Sequence, residues 1–289
     1  MSLEVTRDIR PRHGEMVRLS PLIRRIVAPN AGPFTYTGTG TYVIGEGKVA
    51  VIDPGPADER HVAALHAALG DERPSHILIT HTHADHSPAA ALLQRHHDAP
   101  SCGFGPHGEC GESGEEAADR AFVPDIRLRD GDVIRGDGWT IEAVHTPGHC
   151  SNHLCFALHE ESALFSGDHV MGWSTSVIAP PDGDMAAYLD SLEKVRKRKE
   201  AVFWPTHGPP IRNPQRHVEA LIAHRHARES AILAELGAGV CEIPAIVAAL
   251  YRDVPKELHA AASLSVEAHL IKLIKEGRVQ RDGSHYSLF

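Results

Sequence analysis

The chain has 289 residues, of which 42% are hydrophobic, and it carries 29 Lys+Arg against 38 Asp+Glu. This length allows one sizeable core with an appended module, and the acidic balance disfavours a general nucleic-acid binder, which normally shows a basic excess or stripe. No apolar run approaches the roughly 20 residues of a membrane span, and the N-terminal residues lack the apolar segment of a signal peptide. Five cysteines without a regular framework are typical of a reducing compartment. We therefore expect a cytoplasmic protein that does not enter membranes.

The chain opens with a predicted hairpin and a helix. Residues 41–45 and 48–55 alternate as strands do, and the hairpin they predict turns at Glu46-Gly47. Residues 58–69 then place apolar side chains at helical spacing. This change of period from strand to helix indicates a mixed fold.

A second strand and helix flank an unusual turn. The strand "HILIT" at 76–80 runs into "THTHADH" at 80–86, and a helix is predicted from Pro88 to His96, with proline in its first turn. Residues 101–121 are rich in glycine and acidic residues and lack periodicity. They predict a long loop close to the turn.

Two more hairpins, a helix and a strand complete the first domain. The hairpins are predicted at 132–146 and 153–168, the helix at 184–199 and the strand within 201–210. Groups of strands separated by helices predict two sheets covered by helices.

The chain becomes helical after Asn213. A long amphipathic helix at 214–236 precedes three shorter helices and a hairpin around Asp282-Gly283. The shorter helices are predicted at 242–251, 255–262 and 265–277. This order is that of a winged-helix module. Its charge from His217 onward is 8 Lys+Arg against 9 Asp+Glu, a net of −1, so we expect it to pack against the sheets, to wall the cleft or to form a homodimer rather than to bind DNA.

The turn at residues 80–86 concentrates side chains that bind metals. His81 and His83 alternate at the end of a strand, so both can face one point beyond the sheet. Asp85 and His86 follow as the chain bends into the helix and can face a second point nearby. Four such side chains are too many for a purely structural role, because they would otherwise repel one another or stay hydrated.

Three further motifs place ligand-type side chains directly after apolar strands. They are His149 in "TPGHC", Asp168 in "SGDH" and His207 in "PTHGP". Imidazoles and carboxylates together suit zinc best, with iron or manganese as alternatives. Seven ligands exceed one tetrahedral site and match two metal ions about 3.5–4 Å apart.

The motifs "HTHADH", "TPGHC", "SGDH" and "THG", in this order, resemble those of the metallo-β-lactamase superfamily of hydrolases over about residues 16–212. The resemblance implies an α+β fold, the four-layer αβ/βα sandwich, for a catalytic domain at 1–212. A helical linker and winged-helix domain would occupy 213–289. It also implies that His81, His83 and His149 hold one metal, that Asp85, His86 and His207 hold the other, and that Asp168 bridges them.

A narrower resemblance covers nearly the whole chain. "NAGPFTYTGTGTYVIG", "LRDGDVI" and the winged-helix end are similar to the beta-lactamase-like subgroup that includes a mitochondrial endoribonuclease. The subgroup often has "GTNTY", whereas Gly40 stands in place of the Asn here. This departure puts in doubt any polar contact from that side chain.

The predicted chemistry follows from the charges. Two zinc ions would lower the pKa of a shared water towards about 7 and so give a metal-bridging hydroxide as the nucleophile. Asp168 and Asp85 are the predicted catalytic residues, the first as the bridge and the second as the group nearest to it that could orient the hydroxide.

Several residues are expected behind the ligands or along the pocket. The resemblance implies that Asp53 supports the ligand loop and fixes histidine orientation, while a turn-forming Asp before Pro-Gly is an equal alternative. His153 is expected behind the ligands or towards the substrate. Tyr36 and Trp173 are candidate pocket residues, although aromatic side chains are more often in the core. Cys150 is expected to be a small packing residue.

The remaining histidines are expected to have no part in the site. His169 should face away from it. The others are predicted to be exposed on helices: His96, His97, His224 and His226.

The leading hypothesis is a dinuclear zinc hydrolase of a small ester, thioester or amide, similar to hydroxyacylglutathione hydrolases. A metal-dependent endoribonuclease is the alternative within the same fold, and the acidic charge weighs against it. A mononuclear iron persulfide dioxygenase also uses "HADH", but seven ligands favour two metals. The presence of all seven ligand residues disfavours a non-enzymatic winged-helix regulator. The expected partner is therefore a small-molecule substrate, with nucleic acid disfavoured.

Overall fold

The computed structural model describes residue 5, residues 11–108 and residues 118–289. Within these ranges no helix combines the length and the apolar character that crossing a bilayer requires. The predicted loop at 101–121 is wrong at its start, because Ser101–Gly103 is a buried strand. Residues 109–117 of that prediction lie outside the described residues.

The N-terminal sheet has seven strands in chain order. The first four pair antiparallel and the last four pair parallel, so the fourth strand belongs to both series. The strands are β1 (Val17–Arg18), β2 (Ile23–Val27), β3 (Gly40–Ile44), β4 (Lys48–Ile52), β5 (Arg73–Leu78), β6 (Ser101–Gly103) and β7 (Ile126–Arg127).

Two helices cover the outer face of this sheet. Helix α1 (Glu59–Leu69) begins at Asp58, whose carboxylate accepts a hydrogen bond from the backbone N–H of Arg60. Helix α2 (Ala89–Gln94) follows the histidine turn, with Pro88 as its N-cap. The predicted hairpin and both predicted helices are therefore confirmed.

The second sheet has five strands and a helix on its outer face. Its strand order is β12-β11-β10-β9-β8, with only β11 and β12 parallel. The strands are β8 (Val133–Arg135), β9 (Thr140–His145), β10 (Leu154–Leu158), β11 (Ala163–Gly167) and β12 (Val202–Pro205). Helix α3 (Met185–Arg196) begins at Asp184, which accepts from two backbone N–H groups, and it buries Leu189, Leu192 and Val195 against the sheet.

The two sheets pack face to face and bury their alternating side chains. Tyr42 and Ile44 of the first sheet lie in one core cluster with Phe156 and Phe165 of the second. Val43, between them in sequence, points to the other face and packs with the side chains of α1 and α2. The order helix, sheet, sheet, helix is the predicted four-layer sandwich.

The C-terminal part is helical and ends in a hairpin. It contains α4 (Pro214–Gly237), α5 (Ile243–Leu250), α6 (His259–Lys275), β13 (Val279–Asp282) and β14 (His285–Leu288). The predicted helices at 255–262 and 265–277 are one continuous helix, α6, entered through a short 3-10 turn at Lys256–Leu258. Ser263 and Ser265 do not break it, since the Ser263 hydroxyl donates to the carbonyl of His259 within the helix.

Helix α4 packs on both parts of the chain. Val218 and Leu221, near its start, are buried in a core cluster with α3. Ile232 and Leu236, near its end, are buried with α5, α6 and the hairpin. Helix α4 thus contributes to two cores, and Ala268 of α6 also lies in the cluster formed with α3, so both helices join the C-terminal part to the sandwich.

A chain that ends at residue 212 is expected to be insoluble or aggregated. It loses Val218 and Leu221, each of which contributes about 1.5–3 kcal/mol by burial, and it exposes the apolar residues of α3 beneath them. The measurements are the soluble fraction on expression and the elution volume in size-exclusion chromatography. A monomeric truncated chain with a cooperative unfolding transition would contradict this expectation.

Candidate metal centre

The candidate ligands meet at one edge of the sandwich. The turn at 80–86 follows β5 of the first sheet, while His149, Asp168 and His207 lie in the loops after β9, β11 and β12 of the second. Because these loops leave the sheets at the same edge, side chains far apart in sequence converge there.

Three imidazoles form the first group. Nδ1 of His83 lies 2.9 Å from Nε2 of His81 and 3.1 Å from Nε2 of His149. Nitrogen atoms so close around one point have the arrangement that ligands of a single cation adopt.

Cys150 lies in the same place. It is fully buried, as expected of a packing residue, but its Sγ lies within 4.8 Å of the ligand atoms of the first group. Sequence alone does not predict this position, because a cysteine next to a ligand can turn to either side of the chain.

Asp85, His86 and His207 form the second group. Oδ2 of Asp85 lies 3.0 Å from Nε2 of His207 and 3.4 Å from Nε2 of His86. Both histidines are buried, whereas the side chain of Asp85 is 25% exposed, which leaves this carboxylate within reach of solvent and substrate.

Asp168 lies between the two groups. Its Oδ2 is 3.6 Å from Nε2 of His86 and 3.9 Å from Nε2 of His149, and its Oδ1 is 3.5 Å from Nε2 of His207. One carboxylate therefore faces ligand atoms of both groups.

The donor atoms fit a pair of divalent cations. Within the described part of the chain, Nε2 of His86 and Oδ1 of Asp168 are buried without a hydrogen-bond partner. Buried polar atoms are normally satisfied, so atoms left unsatisfied at the point where other ligands converge indicate a missing cation. Imidazole and carboxylate are the donor types that zinc, iron and manganese share.

The electrostatics of the two groups differ. Burial and the neighbouring imidazoles lower the pKa of His81 well below the usual value, so it stays neutral. Burial also opposes charge on His86, but the carboxylates of Asp85 and Asp168 raise its pKa well above the usual value. Burial would raise the pKa of Asp85, but the positive charge of His86 and the close approach of the His207 and His86 imidazoles lower it well below the usual range. The second group therefore favours positive charge, supplied by a proton or by a metal.

Asp53 holds the histidines from behind. It is fully buried, and its Oδ2 accepts hydrogen bonds from Nδ1 of His86 at 2.9 Å, from the Thr80 hydroxyl at 2.7 Å and from the Thr206 hydroxyl at 2.9 Å. The Thr80 hydroxyl in turn lies 3.0 Å from Nδ1 of His81. Asp53 also ends β4 with a φ of 48°, a conformation that Asp tolerates in turns. It is thus both the turn residue and the support of the ligands.

Other predicted residues are placed around this centre. Nε2 of His153 accepts from the backbone N–H of Asp168 at 3.2 Å, so its Nδ1 donates to the hydroxyl of Thr146 at 2.9 Å, behind the ligands. Tyr36 stacks on Trp173 with 4.9 Å between the ring centres. Trp173 in turn packs against Gly208, which follows His207. This contact leaves no space for a side chain at position 208.

Gly40, which stands where the subgroup often has Asn, makes a close backbone contact and no side-chain hydrogen bond. Its backbone N–H donates to the carbonyl of Thr206 at 2.8 Å, and a Cβ on Gly40 would meet that oxygen at 3.0 Å. Asn30 instead binds Thr39, accepting from its N–H and donating to its hydroxyl, each at 2.8 Å. The Thr39 hydroxyl lies 3.4 Å from Oδ2 of Asp85, so a polar side chain from another loop supports this side of the site.

Two further residues tie loops to the histidine turn and had no sequence signal. The Asn152 amide donates to the Thr82 hydroxyl at 2.8 Å and to the carbonyl of Pro106 at 3.1 Å. Nδ1 of His107 lies 2.8 Å from the same hydroxyl. The residues just before the undescribed segment 109–117 therefore lie close to the turn, as predicted for this loop.

The remaining histidines lie outside the centre. His169 is buried against Tyr188, with 5.0 Å between the ring centres. The prediction that His224 is exposed is wrong, because it is partly buried on α4. The prediction that His97 is exposed on a helix is also wrong. It lies beyond the end of α2, is buried, and its Nε2 is 3.1 Å from Nδ1 of His66 on α1.

Comparisons with known proteins agree with this fold and site. Residues 37–207 match the model of the metallo-beta-lactamase superfamily, and residues 243–287 match the beta-lactamase associated winged helix domain. The chain belongs to the metallo-beta-lactamase superfamily and carries a C-terminal winged helix of the kind associated with it. Membership implies a metal-dependent hydrolase with divalent metal ions at these clusters.

Particular relatives cover most of the chain. A beta-lactamase-like protein 2 homolog of Caenorhabditis elegans is 32% identical over 94% of this chain and 90% of its own length. An atrochrysone carboxyl ACP thioesterase of Paecilomyces divaricatus is 32% identical over 77% of this chain and 67% of its own length. A beta-lactamase domain protein of Burkholderia ambifaria shares the fold with a TM-score of 0.81, at 21% identity, over 98% of this chain and 96% of its own.

Replacing Asp53 by Asn is expected to weaken metal binding about 10–100-fold, as the loss of a partner behind a metal ligand does. The shape is preserved, but the amide can donate to Nδ1 of His86 and so move the ring proton to Nε2, the atom that faces the ligands. Competition with a chelator of known affinity measures the effect. Asp58→Asn, at the partly buried N-cap of α1 and away from the ligands, is the control, and equal affinity of the two variants would contradict the role of Asp53.

Proposed function

We propose that the protein is a dinuclear zinc hydrolase of a small acyl substrate, with a thioester as the preferred class. The proposal rests on one observation, that Asp168 faces ligand atoms of both groups at 3.5–3.9 Å. The first metal would be held by His81, His83 and His149, the second by Asp85, His86 and His207, and Asp168 would bind both.

The thioester is favoured by the relatives. Proteins named atrochrysone carboxyl ACP thioesterases match this chain at about 30% identity over more than three quarters of its length. Hydrolysis of a thioester needs a water nucleophile and a stabilised oxyanion, which a dinuclear centre supplies: when bound, the two cations lower the pKa of a water and polarise the scissile carbonyl.

The chain's own residues orient this chemistry. Asp53 keeps the proton of His86 on Nδ1, and the carbonyl of Val177 accepts the proton on Nδ1 of His149 at 2.6 Å, so both Nε2 atoms face inward unprotonated. Oδ2 of Asp85, on the exposed side of the site, is placed to accept a proton from the attacking water.

Charge favours a small substrate over a polyanion. The chain has a net charge of −9, and its winged-helix part, from His217 onward, is close to neutral. A protein that cleaves RNA is expected to contact several phosphates through Lys and Arg, and the excess of Asp and Glu over Lys and Arg in this chain disfavours such contacts. We therefore place endoribonuclease activity second.

Elemental analysis of protein purified without chelators is expected to find two transition-metal ions per chain, mainly zinc, because seven ligands exceed the capacity of one site. Asp168→Ala should retain at most one tightly bound ion. A single iron per chain and no second metal would contradict the proposal and favour the persulfide dioxygenase.

Asp168→Ala is expected to lower kcat/KM for a small acyl thioester by at least about a hundredfold, since even the partners of metal ligands are worth 10–100-fold. Asp190→Ala, an exposed carboxylate on α3, is the matched control and should keep wild-type turnover. The two variants and the wild type are compared on the thioester, an aryl ester and a labelled single-stranded RNA. Efficient RNA cleavage that only Asp168→Ala loses, without thioester turnover, would overturn the proposal in favour of the endoribonuclease.

A further inference from the structure

The loop that follows Asp168 holds two of the candidate ligands. The carbonyl of Val177 accepts from Nδ1 of His149 at 2.6 Å. The hydroxyl of Ser176 donates to the backbone carbonyl of Asp168 at 2.5 Å and to that of His169 at 2.9 Å. A shift of residues 176 and 177 would therefore move the ring of His149 and the backbone that carries Asp168 together.

Helix α4, from the C-terminal part, holds this loop from outside. Nη2 of Arg225 donates to the carbonyl of Ser176 at 2.6 Å. Two helical turns earlier, Nε2 of His217 donates to the carbonyl of Met171 at 2.9 Å. The helix thus contacts the loop at two points on one side, and the contact of Arg225 with Ser176 is one residue from the carbonyl of Val177, which orients His149.

Arg225 has an unusual environment for a charged residue. It is 3% exposed, and within the described residues it has no carboxylate partner. Its guanidinium lies 5.2 Å from the ring centre of Tyr188, whose hydroxyl donates to the carbonyl of His169 at 3.0 Å. A buried cation without an ion pair is costly, so stability alone does not account for it.

Neighbouring charges do not compensate this cation. Glu229, one turn along α4, is already bound to Lys272 at 2.6 Å and to Arg278 at 2.9 Å. Burial, and then the positive charge of Arg225, lower the pKa of His224 to about 4 and that of His269 to about 3, so both stay neutral. The positive charge remains on Arg225, directed at the Ser176 carbonyl and the Tyr188 ring.

We propose that Arg225 is a positioning residue of the metal centre. Arg225 fixes the carbonyl of Ser176. This in turn fixes the next carbonyl, that of Val177, which orients His149. It also fixes the hydroxyl of Ser176, which holds the backbone of Asp168. Helix α4, which leads into the winged helix, thereby acts on metal binding without contacting a ligand. This inference rests on the dinuclear centre proposed above.

The test is metal affinity in the full-length chain, which does not depend on the substrate. Arg225→Met keeps an unbranched apolar side chain over Tyr188 and removes the donor and the charge. Arg228→Met is a matched control. Arg228 lies on the same helix, donates to the carbonyl of Leu250 at 3.1 Å and lies 4.2 Å from the ring centre of Tyr251, so it makes the same pair of contacts away from the metal centre.

Arg225→Met is expected to bind zinc about 10–100-fold more weakly than the wild type in competition with a chelator. Its visible spectrum with Co²⁺ should also change, because the ligand geometry changes. Arg228→Met should keep wild-type affinity and spectrum. Arg225→Lys, which retains a donor, should recover part of the affinity. Ser176→Ala should weaken binding too, and the double variant Arg225→Met/Ser176→Ala should lose less than the sum of the two effects.

Thermal unfolding of the metal-free variants separates a structural role from a positioning role. If Arg225→Met and Arg228→Met lose stability alike while both bind zinc as the wild type does, Arg225 only attaches the C-terminal part and the inference is overturned. If Arg225→Met does not fold, the affinities of Arg225→Lys and Ser176→Ala decide, and wild-type values for both overturn the inference. A wild type that binds no metal overturns the proposed function itself, and the inference with it.

Discussion

The buried carboxylate of Asp53 is the interaction on which the rest of the site depends. An ionised group removed from water requires several donors, and those it has come from both sheets, Thr80 after β5 and Thr206 after β12. Its remaining partner is Nδ1 of His86, and through Thr80 it also reaches His81. One carboxylate thus joins the edges of two sheets and sets the orientation of two imidazoles. Whatever displaces these sheets relative to each other must also break this set of hydrogen bonds.

The sandwich makes such an arrangement rigid. Tyr42 packs against Phe165 across the two sheets, and its hydroxyl donates to the carbonyl of Pro205 at 2.7 Å, immediately before the loop that carries His207. The same residue, Tyr42, therefore packs in the core and holds the strand end next to a ligand loop. A metal centre needs ligands that are positioned before the metal binds, and here the carboxylates and the orienting carbonyls lie in loops anchored to strand ends on both sides of the core.

The sequence predicted what is local and missed what depends on tertiary contacts. The turn that contains His81 could be recognised because its ligands are adjacent in the chain, and the amphipathic periods predicted the helices. Ser101–Gly103 was expected to be loop, since a three-residue parallel strand pairing with β5 and β7 leaves no periodicity to detect. His97 was expected on a helix surface but is covered by α1. Cys150 and Arg225 acquire their places from loops and helices distant in sequence, which no spacing rule contains.

Helix α4 packs on both the sandwich and the C-terminal part, and so connects the two. At 24 residues it extends about 36 Å, long enough to lie along the sandwich with Val218 and Leu221 and still support the winged helix with Ile232 and Leu236. Between these apolar ends stands Arg225, the charged residue that faces the loop of the metal centre. A module kept only for binding another molecule would need an apolar stripe and a surface of its own. The buried Arg225, which contacts the carbonyl of Ser176 in the catalytic domain, instead makes α4 part of the structure around the metal centre, and the winged helix that follows is packed on this same helix.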